Sequence, residues 1–118
     1  MIRESLQAGA RHASLLTSVG YGLLFQWRAT SNSPNGAMSD VLPRQAVQLP
    51  LLLQLTRQGD IIIPTYSLDG GNTFQLAGDP LKFGDAMPGT LFVGLAMTSH
   101  NGSETSTAHF DGLEIQKG

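Results

Sequence analysis

Cysteine is absent from this 118-residue chain, and with it go disulfide crosslinks, thiolate nucleophiles and zinc sites built on Cys. Charge is sparse too: only 14% of residues are Asp, Glu, Lys or Arg, and the net charge is −2. No basic stripe is present to displace counterions from a phosphate backbone, which excludes nucleic acid as a partner. Long apolar runs are also missing. The richest concentration, Leu49 to Leu55, is broken by Pro50 and Gln54 and falls far short of the roughly 20 residues of a membrane span. Arg3 and Glu4 arrive at once with no apolar stretch behind them, so no signal peptide is expected. The chain reads as soluble, without a membrane partner. Nor does any long segment keep the 3.6-residue period of a helix. The one helical possibility is a short turn around Leu6 to Ala10.

What is there points to strands and turns. Hydrophobic residues make up 41% of the chain, and fourteen glycines and six prolines supply its punctuation. The length suits one domain, residues 1–118, with a real core. His12 to Val19 reads as a strand, turned at Gly20-Tyr-Gly22 into a second, Gly22 to Thr30. On the second, Leu23, Phe25, Trp27 and Ala29 share one face, while Leu24, Gln26, Arg28 and Thr30 share the other. Ser31 to Gln45 reads as a long polar loop, extending to residue 46, where specificity or mobility would reside. Leu49 to Arg57 and Asp60 to Ser67 follow as strands about Gln58-Gly59. Pro64 removes a ladder donor and predicts an edge position or a bulge. Ser67 to Phe74 carries Asp69-Gly70, a tight-turn dipeptide, with an aromatic positioned to fold back onto the core. Phe74 to Ala77 and Leu81 to Phe83 are shorter strands. Leu91 to Ser99 and Ser106 to Ile115 would pair across the turn at His100 to Ser103. The expectation is an all-β, antiparallel, two-sheet β-sandwich.

Several segments in order carry a resemblance: Met1-Ile-Arg-Glu-Ser5, Arg11-His-Ala-Ser-Leu15, Phe25-Gln-Trp-Arg28, Leu55-Thr-Arg57, Tyr66-Ser-Leu-Asp-Gly70, Val93 to His100, and Ala108 to Asp111. Together they resemble the concanavalin A-like lectin and glucanase jelly-roll modules, close to the DUF1349 type appended to bacterial secreted and surface proteins. The resemblance implies a jelly roll, carbohydrate as partner and a secreted or cell-surface setting. In that family the Ile-Arg-Glu motif lies inside the domain, so this chain looks like a jelly roll truncated at its N-terminus. A sandwich lacking strands exposes edges and apolar surface, and self-association into a homo-oligomer is therefore expected.

The chemistry is read by elimination. A glycosidase needs two carboxyl groups flanking the scissile bond, and the resemblance implies that a glucanase of this superfamily would carry them at alternating strand positions. Asp111 and Glu114 are three apart and point to opposite faces, and Asp60 and Asp69 sit in turns. No Gly-x-Ser-x-Gly elbow marks a nucleophile. His12, His100 and His109 lack zinc-site spacing; His100 reads as a turn residue and His12 as its neighbour across the sheet. Asp69 and Asn72 offer oxygens to calcium, but without alternating acidic ligands they read more simply as a hairpin turn. No catalytic group, metal or cofactor is expected.

Sugar recognition needs planar hydrogen-bonding side chains beside an aromatic face. Gln26 and Arg28 supply the first, joined by Arg3, His12, Tyr66 and His100 if these converge on them. Trp27 alternates with Leu23 and Phe25 and reads as core rather than platform. A plainer account of Arg3, Arg28 and Arg57 places them on a solvated face, paired with Glu4, Asp111 or Glu114. The leading expectation is a non-catalytic, carbohydrate-binding recognition module. A structural, self-assembling module without a small ligand is the alternative, and a glycoside hydrolase a distant third.

Overall fold

In the computed structural model, residues 1–18, 22–30, 37–48, 50–83, 88–89, 91–95, 110 and 114–115 are described. In chain order their strands are β1 (Ile2–Arg3), β2 (His12–Ser18), β3 (Gly22–Arg28), β4 (Ala37–Leu42), β5 (Leu52–Gln58), β6 (Ile61–Ser67), β7 (Gln75–Leu76), β8 (Leu81–Lys82) and β9 (Phe92–Val93). A single 3-10 turn, Arg44–Ala46, follows β4. The first sheet runs β4-β3-β2-β1-β9. In the second, β6 pairs with β5 on one side and with both β7 and β8 on the other. Every pairing is antiparallel, and the two sheets pack into an all-β sandwich.

Strand parity builds the core. Ile2, Ala13 and Phe25 of the first sheet meet Ile62 and Phe83, with Leu15, Trp27, Ala29, Leu55 and Leu81 packed around them. A second cluster joins Leu23 to Tyr66 and Ala77. The ring of Trp27 lies 5.1 Å from that of Phe25, tilted by 33°. Leu23, Phe25, Trp27 and Ala29 thus all face inward, as their alternation requires, and Trp27 belongs to the wall of the core.

One ion pair anchors the connection from β1 to β2. Arg11 Nε donates to Glu4 Oε2 at 2.8 Å, and the Arg11 backbone N–H donates to Glu4 Oε1 at 2.9 Å. The guanidinium is largely buried and lies 5.6 Å from the Phe83 ring centroid. A buried cation of this kind is tolerable only with its counterion in place.

Three sequence expectations are corrected. The polar stretch 31–46 is not all loop: Ala37–Leu42 forms β4, and Arg44–Ala46 the 3-10 turn. As the outer strand of its sheet β4 buries none of its residues fully, so Ser39 and Asp40 are tolerated and the apolar alternation that marks an inner strand is missing. Residues 31–36 lie outside the described set. Leu6 to Ala10 makes the expected short turn, closed by Ala10 N–H to Gln7 O at 3.1 Å. Pro64 lies in β6, the inner strand of the second sheet. Its carbonyl accepts from Ala77 N–H at 2.9 Å, and a strand residue's N and C=O point the same way, so its missing donor faces the break between β7 and β8. Finally, Phe74 is exposed rather than folded onto the core. The pairing expected between Leu91–Ser99 and Ser106–Ile115 lies mostly outside the described residues; Phe92–Val93 pairs with β1.

The Asp69 turn shows what holds β6 to β7. Asp69 Oδ1 accepts from Ser67 Oγ at 2.7 Å and from Thr73 N–H at 3.0 Å, while Oδ2 accepts from Thr73 Oγ1 at 2.6 Å. Gly70 and Gly71 supply the positive φ angles of 77° and 97°. With both oxygens engaged inside its own loop, the carboxylate fastens the turn that its sequence suggested. The bonds from the Thr73 hydroxyl, then the Thr73 N–H and the Ser67 hydroxyl, lower its pKa from 3.8 to about 2. The folded state therefore binds fewer protons than the unfolded chain between these values. The stabilisation is complete above pH 4 and is lost as the pH falls through 2. Thermal melts of wild type and Asp69→Asn between pH 5 and pH 2 should show the steeper loss in wild type, and parallel curves would refute the assignment.

Candidate functional site

The register of the first sheet sets four residues in one transverse row: Phe92 opposite Arg3, Arg3 opposite His12, and His12 opposite Arg28. Opposed residues of antiparallel strands project to the same face, with Cβ atoms about 5 Å apart. Their chain neighbours Ile2, Ala13 and Trp27 face the core, so the row lies on the outer face. One step along, Ser14 opposes Gln26, and Gln26 opposes Met38. Arg3, His12, Gln26 and Arg28 are thereby brought together.

Both arginines reach the segment that connects β1 to β2. Arg3 Nε donates to Ser5 O at 3.0 Å and its Nη2 to Gln7 O at 2.6 Å. Arg28 Nη1 donates to Ala8 O at 2.6 Å and to Ala10 O at 3.4 Å. Arg28 Nε is buried without a hydrogen-bond partner. Among the described residues, Glu4 serves Arg11, while Arg3 and Arg28 bond to backbone carbonyls; Asp111, also expected as a partner, lies outside the described residues. Arg57 also donates to carbonyls, those of Gly59 and Pro88.

Between the two guanidiniums His12 is buried, its Nδ1 3.3 Å from Ser14 Oγ. Burial first, then the charges of Arg28 and Arg3, push its imidazole below the ordinary 6.5. It is neutral at pH 7. The strands on either side of His12 present Arg3 and Arg28. His100 and His109 lie outside the described residues, as does Asp111.

Tyr66 does not join this face. It stands on β6 in the opposite sheet, buried against Leu23 and Ala77, with its hydroxyl donating to Gln75 Oε1 at 3.0 Å. Its parity with Ile62 and Pro64 turns it inward. The residue that sequence reasoning missed is Phe92. It is 47% exposed and supplies the aromatic surface that Trp27, turned inward, does not. Only the register of β9 against β1 reveals it; in sequence Leu91-Phe-Val93 reads as uniformly apolar.

A second feature opens between the sheets beside β4. It is a cleft of about 340 Å³ lined by Phe25, Trp27, Ser39, Asp40, Asp79 and Lys82, among others. Asp40 and Asp79 come from different sheets' segments, a pairing that no linear spacing displays. Both are exposed. Among the described residues, no three His, Asp or Glu side chains gather closely enough to hold a metal ion. No described helix is long and apolar enough to cross a membrane.

No family model matches the chain, and no curated protein or solved structure matches it significantly.

Proposed function

We propose that this chain is a non-catalytic recognition module that binds carbohydrate on the outer face of its first sheet. The observation that carries this reading is the row Phe92–Arg3–His12–Arg28, with Gln26 one step away. It combines an exposed aromatic with planar and forked donors on a rigid sheet. A pyranose lays its C–H face on an aromatic ring and offers its hydroxyls to such groups. The sandwich of two antiparallel sheets is also the frame on which concanavalin A-like jelly rolls carry such sites; that finer likeness rests on the sequence motifs. A glycoside hydrolase is the less favoured reading, because Asp40 and Asp79, the two carboxylates that share the cleft, are both exposed.

The test is a titration of isotopically labelled protein with neutral and acidic polysaccharides, followed by amide shifts and calorimetry. Shifts should concentrate on β1, β2, β3 and β9. Phe92→Ala and Gln26→Ala should each weaken binding about tenfold, as loss of one stacking or amide contact does. Absence of binding across the panel would overturn the proposal.

The second reading, a self-assembling structural module, is favoured by the apolar side chains exposed at Phe92, Val93 and Leu95. Strand β9 is the outermost described strand of its sheet, where another chain can add. Light scattering over a dilution series separates the two. A homo-oligomer that Phe92→Ala converts to monomers, with no sugar bound, would establish assembly as the role of this face.

A further inference from the structure

We infer that the ligand of this outer face is an acidic polysaccharide, carboxylated or sulfated, whose anionic groups meet the guanidiniums of Arg3 and Arg28. The inference rests on the recognition role proposed above and names its ligand class.

The argument turns on the difference between satisfying hydrogen bonds and neutralising charge. The carbonyls of Ser5, Gln7, Ala8 and Ala10 occupy donors of Arg3 and Arg28. These carbonyls are neutral, so the side chains are held in place while both positive charges remain. Arg11, eight residues after Arg3 in sequence, is treated differently: Glu4 lies against it at 2.8 Å. That is the one ion pair among the described residues, and it serves an arginine packed over Phe83. Among the described residues, a carboxylate thus lies against the arginine that packs in the core and none against the two on the outer face. Neighbouring His12 feels both of these charges, which favour its neutral form.

Pre-positioning matters for affinity. A guanidinium carries five N–H donors in a fixed fork that matches carboxylate and sulfate oxygens. Here the fork is already immobilised by the backbone, so a ligand need not meet the entropy of ordering two long side chains. The arginines stand two strands apart, roughly 10 Å between backbones, which suits two separate anionic groups along a polymer better than one. Phe92 extends the same row by one strand and offers a surface to a sugar ring. The chain as a whole carries −2, so a polyanion would be drawn to this face and not to the protein at large.

The test uses the full chain with polygalacturonate, chondroitin sulfate and a neutral β-glucan, each by calorimetry in 20 mM and 500 mM NaCl. Expected is binding of at least one acidic polymer tenfold or more tighter than the glucan, falling at high salt as screening shortens. Arg3→Gln and Arg28→Gln should each weaken it about tenfold, and the Arg→Lys variants less, because charge survives while the fork is lost. Circular dichroism melts confirm that each variant is folded. Should Arg28→Gln fail to fold, the salt dependence of wild type and the Arg3 variants still decide. The two acidic polymers separate carboxylate from sulfate preference, and either supports the inference. Glucan bound as tightly as the acidic polymers, independent of salt, would overturn the inference and leave carbohydrate recognition standing. Acidic binding unchanged in folded arginine variants would also overturn it, placing the anion elsewhere. Binding of none of the three would remove both the inference and the proposal beneath it.

Discussion

Replacing Phe25 by alanine should remove about 3–5 kcal/mol of stability, the range for emptying a fully buried aromatic site. The ring is only 1% exposed and bridges the sheets, meeting Ile2 and Ala13 on its own side and Ile62 and Phe83 on the other. Collapse around the vacancy is restricted. The Cβ that Gly78 lacks would sit 3.2 Å from Phe25 Cδ2, so backbone already lies against the ring, and backbone cannot relax as a flexible side chain can. Against a domain stability of about 5–15 kcal/mol, the loss is a large fraction of the total. The melting temperature should fall by roughly 10–20 °C. Urea denaturation followed by fluorescence of Trp27, the sole tryptophan and in ring contact with Phe25, reports it directly. A cost under about 1 kcal/mol would mean that the two sheets do not close on this ring as described.

The second large effect is expected at Gly22, and it is a matter of space as much as of angle. Gly22 opens β3 with a φ of 84°, where an alanine costs about 1–2 kcal/mol through its Cβ alone. In addition, that Cβ would stand 2.2 Å from Leu42 O and 2.7 Å from both Pro43 C and Arg44 N. These are backbone atoms where β4 passes into the 3-10 turn, so relief requires moving that junction and the β3–β4 pairing with it. We expect Gly22→Ala to cost more than about 3 kcal/mol, with protection of the β4 amides from exchange lost first. Gly59 is the control. Its φ is 61° and nothing lies within 4 Å of its missing Cβ, so Gly59→Ala should cost only about 1 kcal/mol. The difference between the two substitutions isolates the clash. Equal costs, measured by parallel denaturation curves, would show that β4 does not press on Gly22.

Much of this architecture can be read from the chain because a strand's side chains alternate with a period of two. Once Gly22 to Arg28 is taken as a strand, the inward turn of Leu23, Phe25 and Trp27 follows, and so does the outward turn of Gln26 and Arg28. The Asp69 turn is legible for a related reason: its fastening bonds run between Ser67, Asp69 and Thr73, all within one short loop. Strand β4 was hidden because an outer strand is free of the alternation that burial imposes, and Pro64 misled because a missing donor costs nothing where the adjacent strand is interrupted.

The sequence by itself determined the all-β class, the parity of the inner strands and the lack of any cysteine-based chemistry, since each depends on composition or on neighbours two residues apart. The tertiary structure alone decided which distant residues share a face. Arg3 meets His12, His12 meets Arg28, and Phe92 joins them only through the order and register of four strands. Tyr66 left the group because it belongs to the other sheet. The arginines' partners were likewise set by where the β1–β2 connection turns its carbonyls, a matter of three-dimensional path that no linear spacing encodes.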